Sequence, residues 1–129
     1  EQYEARLSQV EVPESPSILL RGMAGSRIPV VVAHGEGRMQ FASADAQAKV
    51  AVVARYVDGD GHVATDYPAN PNGSPEGMAG VCSDDGRVTI LMPHPERTRV
   101  TANFSWHPDS WGETSPWARM FRNARAWVG

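Results

Sequence analysis

Pro93-His94-Pro95-Glu96-Arg97 follows directly on the apolar run Val88-Thr89-Ile90-Leu91-Met92, and this junction constrains the fold more than any other stretch of the chain. Val, Thr and Ile fit a pleated, half-buried surface, so the run reads as a strand. The prolines at 93 and 95 each fix φ and remove a backbone donor, which excludes a helix interior. In an extended segment residues i and i+2 project to the same side. The segment is therefore a stiff mount presenting His94 and Glu96 together at a strand end. A His needs a carboxylate on one ring nitrogen to set its tautomer and stabilise the imidazolium, leaving the other nitrogen to take a nucleophile's proton. The bland alternative is a His and a Glu in a surface loop. The flanking prolines, Arg97 and the buried-type strand favour the functional reading, as the last two members of a nucleophile–His–acid triad.

Elsewhere β-like segments precede one clear helix. Arg6 to Val12 alternates loosely until Pro13-Glu14-Ser15-Pro16 breaks it, and Ser17 to Leu20 is short and apolar. Ile28 to Ala33 is nearly continuous in apolar residues, as expected of a strand buried on both faces. Ser43 to Ala48 fits a short helix with Ser43 or Asp45 near its start. Lys49 to Val57, the turn Asp58-Gly59-Asp60-Gly61 and His62 to Tyr67 read as one hairpin. Pro68 to Pro75 is a loop by composition. Met78 to Ser83 and Arg87 to Met92, joined by Asp84-Asp85-Gly86, read as a second hairpin. In the last segment Ser115 can cap a helix and Pro116 suits its first turn. Trp117, Phe121, Ala124 and Val128 recur at helical spacing, and Arg119, Arg122 and Arg125 mark another, solvated or docking, face.

A chain of 129 residues suffices for one compact domain. A net charge of −3 implies no general attraction to nucleic acid or anionic lipid, and no nucleic-acid or membrane partner is expected. No apolar stretch approaches the about 20 residues of a membrane span. The N-terminus, Glu1-Gln2-Tyr3-Glu4-Ala5-Arg6, has no signal-peptide pattern and no initiator Met, so the chain is expected to be a piece of a longer polypeptide. The single Cys82 excludes an internal disulfide framework and suits a reducing compartment, the cytoplasm.

Cys82 is the only thiol and has to be tested as the nucleophile. It falls mid-strand in a hairpin, with no helix after it, whereas a nucleophile elbow needs a sharp strand-to-helix turn. Free Cys often only packs, and that is the favoured reading. His34-Gly35-Glu36-Gly37-Arg38 follows the strand ending at Ala33, where open α/β sheets gather ligands and glycines let backbone approach them. By itself that pattern names no ligand. Trp106 and Trp111 mark an interface or cover the core. His94, Glu96 and His107 lack the paired spacing of a metal centre, and no metal is expected.

Taken together, Gly86-Arg87-Val88-Thr89-Ile90-Leu91-Met92-Pro93-His94-Pro95-Glu96-Arg97, Tyr3-Glu4-Ala5-Arg6, His34-Gly35-Glu36-Gly37-Arg38, Tyr67-Pro68-Ala69-Asn70-Pro71-Asn72-Gly73-Ser74, Ser105-Trp106-His107-Pro108 and Phe121-Arg122-Asn123-Ala124-Arg125 resemble the C-terminal glutaminase domain of the phosphoribosylformylglycinamidine synthase (FGAR amidotransferase) family. The resemblance runs in order along essentially the whole chain. It implies an α/β fold: the C-terminal part of a class I glutamine amidotransferase (flavodoxin-like) domain, with a mixed β-sheet, hairpins and a C-terminal helix. It implies His94 and Glu96 as the catalytic His and Glu beside a Cys nucleophile. It places His34, Gly35 and Glu36 where related glutaminases hold the amino-acid end of glutamine. The family's Gly-rich elbow around its Cys lies upstream of the segment resembling Tyr3 to Arg6. Residues 1–129 are therefore expected to be the C-terminal half of a glutaminase domain, inactive alone. The partners implied are glutamine and the upstream synthetase part of the same polypeptide. There ATP and Mg2+ would drive conversion of formylglycinamide ribonucleotide to the amidine with the released ammonia, and no cofactor is expected in this chain. The alternative is a non-catalytic docking or gating module of a larger synthetase.

Overall fold

A computed structural model describes residues 3–129. Its centre is an antiparallel five-stranded sheet of order β2-β1-β3-β4-β5, built from β1 (Glu4–Glu11), β2 (Arg27–His34), β3 (Ala51–Tyr56), β4 (Met78–Cys82) and β5 (Thr89–Leu91). Every pairing among these strands is antiparallel, so no parallel pair occurs among the described residues where a mixed sheet was expected. Among the described residues no βαβ crossover joins neighbouring strands.

The β1–β2 ladder is regular over its whole length, from Glu4 opposite His34 to Glu11 opposite Arg27. Its two sets of side chains differ. Val10, Ile28, Val30 and Val32 are buried in the main core with Val53, Tyr56, Ala79 and Trp117, while Pro29, Val31 and Ala33 are only half-buried. The expectation that β2 is buried on both faces is thus corrected: it is an edge strand with one face on the core. Pro29 fits this place. Its partner Gln9 turns its carbonyl to Val57 of the neighbouring segment, so Pro29, opposite, presents its backbone to the open edge, where a missing N–H costs no ladder bond.

The Ser17–Leu20 segment is a turn rather than a strand. Leu20 and Met23 drop into the core, and Met23 N donates to the Leu20 carbonyl. The first expected hairpin is also narrower than its sequence pattern. β4 occupies the edge of β3 over Ala51–Arg55, so residues 62–67 form no strand and meet the 56–58 segment through the Val57–Val63 bridge and the bonds from Ala64 N to Tyr56 O and from Asp58 N to His62 O. The β4–β5 hairpin forms with Cys82 opposite Thr89. Across it lies the segment at Pro16–Ile18, held by Ile18 N to the Gly86 carbonyl and by the Ser17 and Thr89 hydroxyls 2.7 Å apart.

The short helix α1 (Ala44–Ala48) is capped by the Ser43 hydroxyl, which accepts from Ala46 N. The C-terminal helix α2 spans Ala118–Val128, and Asn123 ties it to the turn after β1 by donating to the carbonyls of Leu19 and Arg21. Of the expected stripe only Trp117 is fully buried. Phe121 and Val128 are 43% and 74% exposed, because the helix runs past the end of the core and Met120 takes the second inward position. Arg119, Arg122 and Arg125 are all exposed. Among the described residues no helix is long and apolar enough to cross a membrane.

Two outcomes follow from this packing. Gly86 has φ +70°, and a Cβ there would run into the Pro16 carbonyl, so Gly86→Ala is expected to destabilise the protein by about 1–3 kcal/mol, read from its urea midpoint. Tyr56 is fully buried, its hydroxyl has no partner among the described residues, and burial pushes its phenol well above the ordinary tyrosine range. The folded state therefore holds this proton to higher pH than the unfolded chain. The resulting stability is complete below about pH 10 and declines by about 1.4 kcal/mol per pH unit above it. Tyr56→Phe is expected to match the wild type at neutral pH or exceed it by about 1 kcal/mol, and to lack that alkaline component in denaturation at pH 10.5.

Candidate active site

The strand β5 ends at Leu91, and Pro93 and Pro95 then force the chain into a short 3-10 turn over Pro95–Thr98 with His94 at its head. His94 N donates to the Val31 carbonyl at 2.7 Å, which hangs this turn on the open edge of β2. His94 and Glu96 do come together, with Nδ1 2.8 Å from Glu96 Oε1, but a 3-10 turn rather than the expected extended segment brings them into contact. With Nδ1 engaged by the carboxylate, Nε2 is the ring atom left for chemistry. Both side chains remain partly open to solvent, so the pair is reachable.

β2 itself ends at His34, and the loop after it supplies the second part of the site. The His34 ring lies over Gly37, whose N–H donates to Nδ1 at 3.1 Å; any Cβ at position 37 would occupy the ring's place. A neutral ring that accepts at Nδ1 carries its proton at Nε2. That Nε2 is buried and has no partner among the described residues. Burial, and then the neighbouring charge of His94, push the His34 imidazole below the ordinary histidine range. The two imidazoles therefore differ in kind: His94 is paired with a carboxylate, and His34 is held neutral as a donor.

Gly35 and Glu36 line a cleft of about 690 Å³ together with Glu4, Arg38, Gln40, Tyr67, Asn70, Pro71, Asn72 and Gly73. The wall from Tyr67 to Gly73 read as a plain loop by composition. Its construction is specific. Asn70, 1% exposed, donates from Nδ2 to the Ser74 carbonyl and accepts from Ser74 N, closing a tight turn. The Ser74 hydroxyl accepts from Met39 N and joins that turn to the opposite wall. Arg6 reaches across from β1 to the Tyr67 hydroxyl and the Pro68 carbonyl, is paired with Glu4 at 2.7 Å, and stands 4.7 Å from the Tyr67 ring centroid. The density of Asn, Pro and Gly in Asn70-Pro71-Asn72-Gly73 was the sequence signal for this wall.

The other candidates lie elsewhere. Cys82 is buried in β4, 5% exposed, and burial pushes its thiol up, so it is held as a packing residue rather than a thiolate. His107 stacks on Trp111, which meets Phe104 edge-on at 5.1 Å; Trp111 thus covers the core while Trp106 is 69% exposed. The Asp58 carboxylate accepts from the backbone of Asp60 and His62 and closes the turn between them.

Known proteins share this fold. In a solved structure titled PurLQS from Thermotoga maritima, one chain superposes on this one with a TM-score of 0.68 at 25% identity, over 99% of this chain and 49% of that chain. The chain thus spans about half the length of the relative it matches. Residues 1–128 match the CobB/CobQ-like glutamine amidotransferase domain, so nearly every residue discussed above falls inside that match. The chain belongs to the CobB/CobQ-like glutamine amidotransferase domain family.

Proposed function

We propose that this chain is the His–Glu half of a glutaminase centre that makes ammonia from glutamine for formylglycinamide ribonucleotide amidation in purine biosynthesis. The observation that carries the reading is the His94–Glu96 pair, 2.8 Å apart and mounted on the edge of β2, within a chain of glutamine amidotransferase family. The likeness to PurLQS supports the purine assignment.

In this reading a cysteine from the upstream half of the same domain attacks the side-chain amide carbon of glutamine. His94 has taken the thiol proton and, as imidazolium, passes it to the departing nitrogen, so that ammonia leaves and a glutamyl thioester remains. Water, deprotonated by the same ring, then releases glutamate. Glu96 orients the ring and stabilises its charge. Glu36 and Arg38 offer opposite charges along the cleft, which suits the ammonium and carboxylate of an amino acid. Of the residues expected to hold the amino-acid end, Gly35 and Glu36 line the cleft and would meet it there, whereas His34, with Nε2 buried and Nδ1 accepting from Gly37 N, would act by shaping the loop that carries them. Cys82, buried and held protonated, takes no part, so the chain alone is expected to hydrolyse no glutamine. The ATP and Mg2+ chemistry belongs to the synthetase portion, and the protein works in the cytoplasm.

His94→Ala in the complete enzyme is expected to lower glutamine-driven synthesis by about 10²-fold or more while ammonium-driven synthesis continues at the wild-type rate. Equal activity of the variant with both nitrogen donors would instead make the His–Glu turn a structural mount, and this chain a docking module of the synthetase.

A further inference from the structure

The turn that carries His94 and Glu96 is tied to β2 at two places, and only one of the ties involves His94 itself. At the front, His94 N donates to the Val31 carbonyl. At the rear, the path runs through residues that the triad chemistry does not use. The Ser115 hydroxyl donates to the carbonyl of Thr98, the last residue of the turn, and accepts from Trp117 N. The Trp117 indole Nε1 then donates to the Pro29 carbonyl at 2.8 Å, two residues along β2 from the carbonyl that holds His94. Ser115, Thr98 and Trp117 are 2%, 0% and 1% exposed. The backbone reinforces this path, since Ser115 N donates to Arg99 O and Thr101 N to Glu113 O.

These bonds close a ring: β2, His94, the 3-10 turn, Thr98, Ser115, Trp117 and β2 again. A turn held at one end can pivot about that bond, and a turn held at both ends on one strand cannot. The geometry points to Ser115 and Trp117 as positioning residues that set the angle of the His94–Glu96 pair against its nucleophile. Neither touches substrate. They act through the carbonyls of Thr98 and Pro29, in a dry environment where water does not replace a lost bond. Displacement of a catalytic group by even about 1 Å, caused from a distance, lowers rates on the order of a hundredfold.

The inference rests on the reading of His94 and Glu96 as the glutaminase pair, and the test separates the two. Ser115→Ala, which removes one oxygen, is compared with wild type and His94→Ala in the complete enzyme, with glutamine and with ammonium as donors. The expected result is a fall in glutamine-driven kcat of about tenfold to a hundredfold, with KM for glutamine and the ammonium-driven rate unchanged. The rate of thiol alkylation by a glutamine-like electrophile should fall in parallel, since that reports the nucleophile without turnover. Wild-type glutamine kcat in Ser115→Ala beside a dead His94→Ala would overturn the positioning role and leave the glutaminase reading intact. A parallel loss with both donors would reduce Ser115 to a general structural residue and overturn it too. Full glutamine activity in His94→Ala would overturn the glutaminase reading and this inference with it. If Ser115→Ala does not fold, Trp117→Phe, which deletes the Nε1 donor and keeps a ring in the core, carries the same comparison.

Discussion

The hydrogen bond from His94 N to the Val31 carbonyl is the contact on which the arrangement of the candidate site depends. It exists because β2 is an edge strand, with alternate carbonyls directed away from β1. In soluble proteins such an edge has to be paired, covered or blunted. Here the Pro29 carbonyl goes to an indole and the Val31 carbonyl to the residue that carries the imidazole. The edge is covered by the segments that need a rigid support, so one strand satisfies its own backbone and fixes the place of His94. The sheet order follows the same logic. β2 is kept at the edge by β1, which takes its other side along eight residue pairs.

The surroundings divide work between two similar side chains. His94 and His34 carry the same ring within reach of each other's charge, yet one is bonded to a carboxylate and the other accepts a backbone N–H and is pushed toward neutrality by burial. Burial, and then the charge of His94, disfavour the protonated form of His34, so the two rings sit in different electrostatic surroundings. The same dielectric argument disposes of Cys82. Enclosed in β4, it is in the wrong environment for a thiolate, whatever its identity as the only thiol of the chain.

Much of this was legible in the residues. The strand that ends in Pro-His-Pro-Glu, the β4–β5 hairpin, the Ser43 cap and the terminal helix all rest on local chemistry: proline φ, turn residues, side-chain oxygens and short periodicities. The proximity of His94 and Glu96 is of this kind, because two residues in a proline-stiffened segment have little freedom to part. The less legible parts depend on partners distant in the chain. Val31 and His94 are joined across a gap that no periodicity spans, and so are Arg6 with Tyr67, Ser115 with Thr98 and Trp117 with Pro29. The reading of β2 as buried on both faces failed for the same reason, since a run of Val and Ile records hydrophobicity and not which neighbour is absent.

The sequence by itself determined most of the strand and helix segments, the proximity of His94 and Glu96, and the family to which the chain belongs, because each is written in residues close together or in a linear order of motifs. Tertiary structure alone decided the all-antiparallel order of the described strands, the polar cleft between the loop after His34 and the Tyr67–Gly73 wall, the neutrality of His34 and the two-point suspension of the His94 turn. The physical reason is that burial, desolvation and long-range hydrogen bonds are properties of where a group ends up. A histidine becomes a base or a neutral donor only when the fold has chosen what stands next to it.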